Sequence, residues 1–545
     1  MSLLSSVKRR INTLFGGVGA FDRGKARDQD AGTADKGPPV TVTAPTATAS
    51  TAPGGEEAVI THRVLLIHGY SADGKEFLEW KRALAGAGMG VETIEIGNYV
   101  SLNNEISIKD LGEAFDRALR LTKWSKGTTD DTWTFDAIVH STGMLVLRQW
   151  LVNDPYSRSD ARSRVKRLKH LVGLAPATYG SPQAKKGRSW LGALVKGNKH
   201  LGPDFMEAGD MILDGLELGS RYTWELATKD MMSADPMYDK GKDTPYVAIF
   251  IGNTAYAGVS GLANSPGTDG TVRWSGCSLN SRLVKLDLRT TAKLMDKGQA
   301  TRCSISEWTL NRANTPVIAV EARDHGTILQ SPEPGAVALV RDFMTKVSDD
   351  LSYAQWELRA IAYGAPALEK MNRQSALDGA ADGAGWQQFV VHLVDDHDDG
   401  IKDYNLQLFL GSDLAESDDP GFKPLPVIVD SYGADSSYRC LYVRLTEDLI
   451  KLNTPGGPAG KVWIELLASS GTRYVEYEAY DGAGQVNRGN DGGPKPTKLE
   501  ITKLAQGNDT LFYPYTTTLV EIYLEREPTP LQAVSDLFGF LGRGL

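Results

Sequence analysis

The chain has 545 residues, more than one hydrophobic core usually organises, so we expect at least two domains. Hydrophobic residues make up 41% and charged residues 23%, which is ordinary for a globular protein. The net charge of −9 argues against nucleic acid as a partner. Three cysteines, Cys277, Cys303 and Cys440, are too few and too scattered to predict a disulfide framework or a zinc site.

Residues 1–57 predict an N-terminal amphipathic segment followed by a disordered linker. The first 15 residues place apolar side chains on one side at helical spacing, with Lys8, Arg9 and Arg10 opposite them. Such a segment suits a membrane surface or a partner, but a short docking helix or a disordered tail is favoured. It lacks the continuous apolar stretch of a signal peptide, and nowhere does an apolar run reach the roughly 20 residues that a membrane span needs. We therefore expect a protein that is cytoplasmic, or exported without a signal peptide, and not integral to a membrane.

Residues 58–351 alternate between short β-branched runs and helical patterns, which predicts an α/β domain. The runs are "RVLLIHG", "GVETIEIG", "FDAIVHS", "LKHLVGLAP", "PYVAIFIGN" and "TPVIAVEARDH". Amphipathic helical patterns separate the first four of them. This alternation predicts a mostly parallel sheet covered by helices on both faces, with functional loops at the carboxyl ends of the strands.

The alternation is interrupted at about residues 180–245, where Gly-punctuated helical sequence without a clear strand predicts an inserted cap. The alternative is a set of helices that pack on one side of the sheet. In the cap interpretation Trp190, Leu191 and Leu194 bind substrate, either by lining an acyl pocket or by forming a lid that opens at a lipid surface.

The C-terminal part has a different pattern. Residues 352–385 predict a polar connector, and residues 386–529 contain seven alternating segments that predict an all-β, sandwich-like domain. Residues 530–545 predict a further amphipathic segment. The loop from Asp395 to Asp403 offers oxygen ligands that suit calcium, but its spacing matches no defined calcium loop, so a solvated hairpin is favoured and no metal is expected.

The third apolar run stops at Ser141 and a helical pattern begins two residues later, which makes Ser141 a candidate nucleophile at a strand-to-helix corner. Gly143 permits the close backbone approach that such a corner needs. The usual pattern G-x-S-x-G has valine, Val139, in place of its first glycine. A hydroxyl also needs a base and an orienting acid to react, and otherwise Ser141 merely caps the helix.

His325 follows the last predicted parallel strand directly, which makes it the best-placed base among eight histidines. Asp269 lies in a Gly-rich loop after the preceding strand and is the candidate acid, although Asp-Gly is also a common turn. Asp243 and Asp324 are weaker alternatives. The chain order Ser141, Asp269, His325 is the nucleophile, acid, base order of a triad carried on successive strand ends.

An oxyanion hole requires two main-chain donors. Tyr70, after the turn formed by His68 and Gly69, would supply one N–H group, and Thr142 would supply the other at the start of the helix. The alternative is that the His-Gly pair simply ends a strand. We place His68, Gly69 and His140 among the substrate-binding residues.

Residues 63–351 resemble α/β-hydrolases of the bacterial lipase and esterase group. The matching stretches are "LLIHGYS", "VHSTGM", "GLAPATYGSP", "TDGTV" and "ARDHGTI". The resemblance implies a serine hydrolase with Ser141 as nucleophile, Asp269 as acid and His325 as base, and with Tyr70 and Thr142 as oxyanion donors. Val139 is the main departure and concerns the geometry of the corner.

Two functions from different classes follow. The first is a serine carboxylic-ester hydrolase, a lipase, esterase or phospholipase, that acts through an acyl-enzyme on an acyl ester or lipid and contacts a lipid surface. The second is an inactive hydrolase-fold scaffold whose β domain makes the functional contact. No nucleotide-binding glycine pattern follows the strands, so no cofactor is expected. The sequence leaves the oligomeric state open.

Overall fold

The structure is a computed structural model that describes residues 62–68, 77–94, 106–122, 124, 132–186, 210–238, 243–257, 264–289, 304–310, 315–376, 383–411, 423–454, 456–472, 475–478, 496–502 and 511–528. The chain divides into two units, Met1–Ala58 and Val59–Leu545, and all described residues belong to the second. The predicted terminal segments 1–57 and 530–545 lie outside the described residues. Within the described ranges, no helix is both long and apolar enough to cross a bilayer.

Seventeen strands are found in the described residues. They are β1 (Arg63–Ile67), β2 (Gly90–Ile94), β3 (Phe135–His140), β4 (Leu168–Leu174), β5 (Tyr246–Gly252), β6 (Ser281–Asp287), β7 (Ser304–Leu310), β8 (Val317–Val320), β9 (Gly383–Asp395), β10 (Asp403–Gly411), β11 (Lys423–Pro424), β12 (Val427–Ser431), β13 (Tyr438–Thr446), β14 (Lys461–Ser469), β15 (Val475–Glu478), β16 (Thr497–Glu500) and β17 (Thr517–Pro528).

Twelve helices are found in the same ranges. They are α1 (Leu78–Ala85), α2 (Ile108–Leu121), α3 (Gly143–Val152), α4 (Arg164–Arg167), α5 (Pro182–Lys186), α6 (Asp210–Leu216), α7 (Arg221–Asp230), α8 (Trp274–Cys277), α9 (Thr327–Gln330), α10 (Pro334–Lys346), α11 (Asp350–Arg373) and α12 (Glu447–Ile450).

The first part of the chain forms the predicted α/β layers. Six parallel strands pair in the order β2-β1-β3-β4-β5-β8, and they are the six runs that the sequence indicated. Strands β3 and β5 are buried at every residue, as expected for strands covered on both faces. Helices α1, α9, α10 and α11 contact one another in one layer, and α2, α3, α6 and α7 contact one another in the other. The predicted α/β architecture is confirmed.

The region predicted as a cap is described only in part. Residues 187–209, which include Trp190, Leu191 and Leu194, lie outside the described residues. The described helices α6 and α7 contact α2 and α3 respectively. An ion pair between Arg148 and Asp230, 2.7 Å long with both side chains fully buried, links α3 to α7. Residues 210–230 therefore cover one helical layer of the α/β sheet.

The β domain contains a seven-stranded sheet and a four-stranded sheet, and all seven predicted segments are strands. The smaller sheet has the order β11-β10-β14-β16, and the larger one contains β12-β13-β9-β17-β6-β7 with β15 paired to β17. An apolar cluster with members from both sheets forms the core of this domain. Strand β17 pairs in parallel with β9 and β6, so the larger sheet is mixed rather than purely antiparallel.

Two segments differ from the sequence analysis. Strands β6 and β7, for which no strand was predicted, precede residue 351 in the chain but belong to the larger sheet of the β domain. Helix α11 spans 24 residues and occupies most of the stretch that was predicted to be a polar connector. Its buried side packs on β8 and β9, one strand from each domain. The two domains thus share one hydrophobic core, which includes Trp386 and Tyr442 of the β domain.

Candidate active site

Ser141 occupies the corner between β3 and α3. Its φ angle is 51°, in the left-handed region that a residue with a side chain rarely adopts. The preceding strand is completely buried, and α3 begins two residues later at Gly143. A strained serine at a sharp strand-to-helix turn is the arrangement that exposes a nucleophilic hydroxyl above a parallel sheet.

Glycine at position 143 is required by the approach of α3 to β1. A Cβ atom there would lie 2.7 Å from the carbonyl oxygen of Ile67, closer than real Cβ atoms approach, and 3.1 Å from that of His68. Val139, the departure from the usual pattern, pairs in register with Gly173 on β4. A Cβ at Gly173 would lie 3.0 Å from the Met144 methyl group of α3. The small residue that makes room for α3 is therefore Gly173 on the neighbouring strand β4, rather than a glycine at position 139.

The side chains of His325 and Asp269 are joined by a hydrogen bond, with His325 Nδ1 2.9 Å from Asp269 Oδ2. Asp269 is fully buried and His325 is 7% exposed. An ionised carboxylate only accepts hydrogen bonds, so Nδ1 of His325 donates and Nε2 is left as the acceptor. The second carboxylate oxygen, Oδ1, accepts the backbone N–H groups of Thr271 and Val272 at 3.0 and 2.9 Å. The imidazole is thereby held in the tautomer that a general base needs.

The Asp-Gly pair forms a turn, in which Asp269 uses one carboxylate oxygen, while its other oxygen contacts His325. The alternatives are engaged elsewhere. Asp324 Oδ1 accepts the N–H groups of Gly326 and Thr327 and so caps α9. Asp243 lies just before the amino end of β5, is 74% exposed and is 3.6 Å from Lys166 Nζ. Of the three carboxylates, Asp269 is the one whose contact with the His325 ring the structure describes.

His140, the residue before Ser141, contacts the candidate base. Its Nε2 atom is 2.9 Å from the main-chain oxygen of His325, and the two ring centroids are 4.7 Å apart. A carbonyl oxygen only accepts, so Nε2 of His140 carries the hydrogen. Burial, then the neighbouring His325 and His68 rings, hold the pKa of His140 well below its usual range. His140 is thus a neutral donor that connects the loop carrying His325 to the strand-to-helix corner at Ser141. The prediction that His140 binds substrate did not include this role.

Of the other predicted residues near Ser141, Thr142 and His68 lie within the described residues. Thr142 is buried at the cap of α3 with helical backbone angles, so its N–H group belongs to the first turn of that helix. His68 is fully buried, and its ring centroid lies 5.9 Å from that of His140. Gly69 and Tyr70 lie outside the described residues.

The β domain supports the loop that carries Asp269, which the sequence analysis did not foresee. The Tyr442 hydroxyl of β13 donates to the main-chain oxygen of Gly267 at 2.7 Å. Gly267 has a φ angle of 70°, and a Cβ there would lie 2.6 Å from the Tyr442 ring. At the other end of the loop the buried Arg273 pairs with Asp430 and contacts the Cys440 thiol. No local pattern could have indicated these contacts, because they join residues more than 150 positions apart.

A cavity of about 690 Å³ opens at the opposite edge of the parallel sheet, by the amino ends of β1, β3, β4 and β5. Its buried Asp136 accepts from His170 Nδ1 at 2.7 Å and lies 3.7 Å from His62 Nδ1. Burial raises the pKa of Asp136, but the His170 and His62 rings outweigh this effect and lower it. Interaction with Asp136 raises the pKa of His62. Because functional groups of such sheets collect at the carboxyl ends of the strands, this cavity is not our candidate site.

The acidic loop considered for calcium places ligand atoms of Asp395, His397 and Asp399 within 4.8 Å of one another. Asp395 is fully buried. Its Oδ1 accepts the N–H groups of His397 and Asp399, and its Oδ2 lies 3.2 Å from Arg526. These contacts account for the buried carboxylate as a structural element of the loop.

No protein-family model matches the chain, and no curated protein matches it. Among solved structures, the phospholipase PlaB from Legionella pneumophila is similar, with 19% sequence identity, a TM-score of 0.64, and coverage of 88% of this chain and 97% of PlaB. PlaB from Legionella pneumophila in complex with thio-NAD gives 20% identity, a TM-score of 0.63, and coverage of 88% and 98%. At this level of identity the similarity concerns the fold. The chain has the α/β-hydrolase fold with an additional C-terminal β domain.

Proposed function

We propose that this protein is a serine hydrolase that cleaves carboxylic esters of lipids, with Ser141 as nucleophile, His325 as general base and Asp269 as the acid that orients it. The observation that carries the proposal is the buried hydrogen bond between His325 Nδ1 and Asp269 Oδ2. The main-chain oxygen of His325 also accepts a hydrogen bond from His140, the residue that precedes Ser141. Of the two functions expected from the sequence, this one uses Ser141, His325 and Asp269 together, whereas a scaffold has no need of them.

In the first step Nε2 of His325 takes the proton of the Ser141 hydroxyl as its oxygen attacks the ester carbonyl. The negative charge that develops on the carbonyl oxygen is stabilised by the main-chain N–H groups of Thr142 and Tyr70 and by the amino end of α3. The tetrahedral intermediate collapses to an acyl-enzyme as His325 returns the proton to the leaving alcohol. Water, deprotonated by His325, then releases the carboxylic acid and restores Ser141.

A lipid substrate is supported by the overall similarity to PlaB, which is described as a phospholipase. The residues expected to line an acyl pocket or a lid, Trp190, Leu191 and Leu194, belong to the proposed cap. If this segment opens at a lipid surface, the rate of hydrolysis of a long-chain ester will rise when its concentration passes the micellar threshold. A rate that follows simple saturation through that threshold would contradict the lid, while leaving the serine chemistry intact.

Labelling with a fluorophosphonate probe tests the nucleophile. We expect the wild-type protein to be labelled and Ser141→Ala to resist labelling and to lose ester hydrolysis. Ser331→Ala is the matched control, since Ser331 is an exposed serine that follows α9 on the loop of the candidate base. Labelling that persists in Ser141→Ala would move the nucleophile elsewhere, and absence of labelling in all three proteins would favour the scaffold function.

A further inference from the structure

The cavity at the amino ends of β1, β3, β4 and β5, which we call the amino-edge cavity, has no part in the proposed hydrolysis. It lies at the edge of the parallel sheet opposite to Ser141, which follows the carboxyl end of β3. Its volume of about 690 Å³ is that of a small-molecule site, for which roughly 300 to 1,000 Å³ is usual. The charges on its walls indicate what kind of molecule it suits.

The buried carboxylate of the amino-edge cavity is already balanced. His170 Nδ1 lies 2.7 Å from Asp136 Oδ1, and His170 Nε2 lies 2.8 Å from the main-chain oxygen of Val347. A carbonyl oxygen and an ionised carboxylate only accept hydrogen bonds, so each of these contacts requires a hydrogen between its two atoms. Whether the carboxyl or the imidazole holds the hydrogen that they share, Asp136 and His170 together have no net charge.

The other charged side chains leave an excess of positive charge in the cavity. Lys166 Nζ is 3.6 Å from the carboxylate of Asp243, so these two balance each other. Arg63 and Lys169 also line the cavity, and in the part of the chain that the structure describes neither has a carboxylate within ion-pair distance. The whole chain has a net charge of −9, so two unpaired cations in one cavity depart from its general character. They favour an anionic ligand.

We infer that the amino-edge cavity binds a small soluble phosphomonoester, whose phosphoryl group pairs with Arg63 and Lys169. Such a group carries about two negative charges at pH 7 and has three acceptor oxygens. Two unpaired cations match its charge, and a guanidinium can bind two of its oxygens at once. Hydroxyl donors for the remaining oxygen are available on the cavity wall from Thr134, Thr345 and Ser348.

The rest of the lining suits an organic group on the phosphate. The cavity is larger than an inorganic phosphate ion needs, and Phe135, Leu168 and Met344 offer apolar contacts. His62 adds a third positive charge when it is protonated, and its hydrogen bond with Asp136 raises its pKa. Because these groups line a cavity rather than a flat surface, they fit a soluble molecule better than the phosphate of a bilayer lipid.

Isothermal titration calorimetry of the full-length protein with glycerol 3-phosphate, in a buffer free of phosphate, tests the inference. We expect saturable binding at one site, and we expect Arg63→Gln and Lys169→Gln each to raise Kd about tenfold, since each removes a charge-assisted hydrogen bond. Lys81→Gln is the matched control, because Lys81 is an exposed lysine of α1 that does not line the cavity. Binding should be unchanged in Ser141→Ala, so the outcome does not depend on the proposed function.

Three results would overturn the inference: no binding by the wild type, an unchanged Kd in both cavity variants, or an equal rise of Kd in Lys81→Gln. Succinate that binds as tightly as glycerol 3-phosphate would overturn the assignment to a phosphate. Co-sedimentation with vesicles that contain phosphatidic acid distinguishes the two sources of a phosphomonoester. Vesicle binding that Arg63→Gln and Lys169→Gln both abolish, without any binding of glycerol 3-phosphate, would overturn the soluble ligand in favour of a lipid headgroup.

Discussion

Replacement of Asp269 by asparagine separates the charge of this side chain from its shape. The aspartate Oδ1 accepts two backbone N–H groups, from Thr271 and Val272. Asparagine must place its carbonyl oxygen there, since its NH₂ group would face two donors. The NH₂ group then takes the position of Oδ2 and points at Nδ1 of His325. Nδ1 must become an acceptor, so the proton moves to Nε2, the atom that has to accept the proton of Ser141.

The expected loss follows from this change of tautomer. In a Ser-His-Asp triad the same replacement lowers kcat by about 10⁴-fold, equivalent to about 5 kcal/mol of barrier. The assay is hydrolysis of a short-chain chromogenic ester, with kcat and KM determined separately. KM should change little, because Asp269 is buried behind the base. Thermal unfolding verifies that the variant is folded.

Asp324→Asn is the matched control for this prediction. Asp324 is adjacent to His325 in the sequence and caps α9 through two backbone N–H groups. Asparagine caps helices about as well as aspartate, so we expect nearly full activity. Asp269→Asn that retains activity within about tenfold of wild type, or Asp324→Asn that loses more than Asp269→Asn, would refute the assignment of the acid.

Three further predictions follow from buried contacts. His140→Phe removes the donor to the His325 carbonyl oxygen and should lower kcat about tenfold with KM nearly unchanged, whereas an equal rise in KM would point to substrate binding. Tyr442→Phe should lower the free energy of unfolding by about 1 kcal/mol in a urea titration and lower kcat, and unchanged values of both would contradict the proposed support of the acid loop. The raised pKa of His62 means that its pairing with Asp136 stabilises fully below the unfolded pKa and loses this effect as pH rises through the folded pKa. The lowered pKa of Asp136 sets the acid limit, so His62→Gln should lower the free energy of unfolding in a urea titration more at about pH 5.5 than at about pH 8.5, with a difference of less than about 1 kcal/mol; an equal effect at both would contradict it.

The α/β layers and the chain order of the candidate groups could be predicted from the amino-acid sequence alone. Six apolar runs gave the six parallel strands, because side-chain burial on both faces of a strand produces a continuous local pattern. The same pattern located Ser141 at a strand end and His325 after the last strand. The roles of Ser141, Asp269 and His325 in catalysis stay predictions, but each residue's position along the chain could be inferred from its immediate neighbours.

Which carboxylate meets the imidazole could not be inferred from local sequence, because Asp243, Asp269 and Asp324 were all candidates, and it is the folded chain that joins Asp269 to His325 by one side-chain and one main-chain hydrogen bond. The tertiary structure also assigned β6 and β7 to the β domain and brought Tyr442 to the loop of Asp269 across 175 positions. Contacts of this kind depend on how distant segments pack. They impose no periodicity on the residues that make them, so they leave no local signal in the sequence.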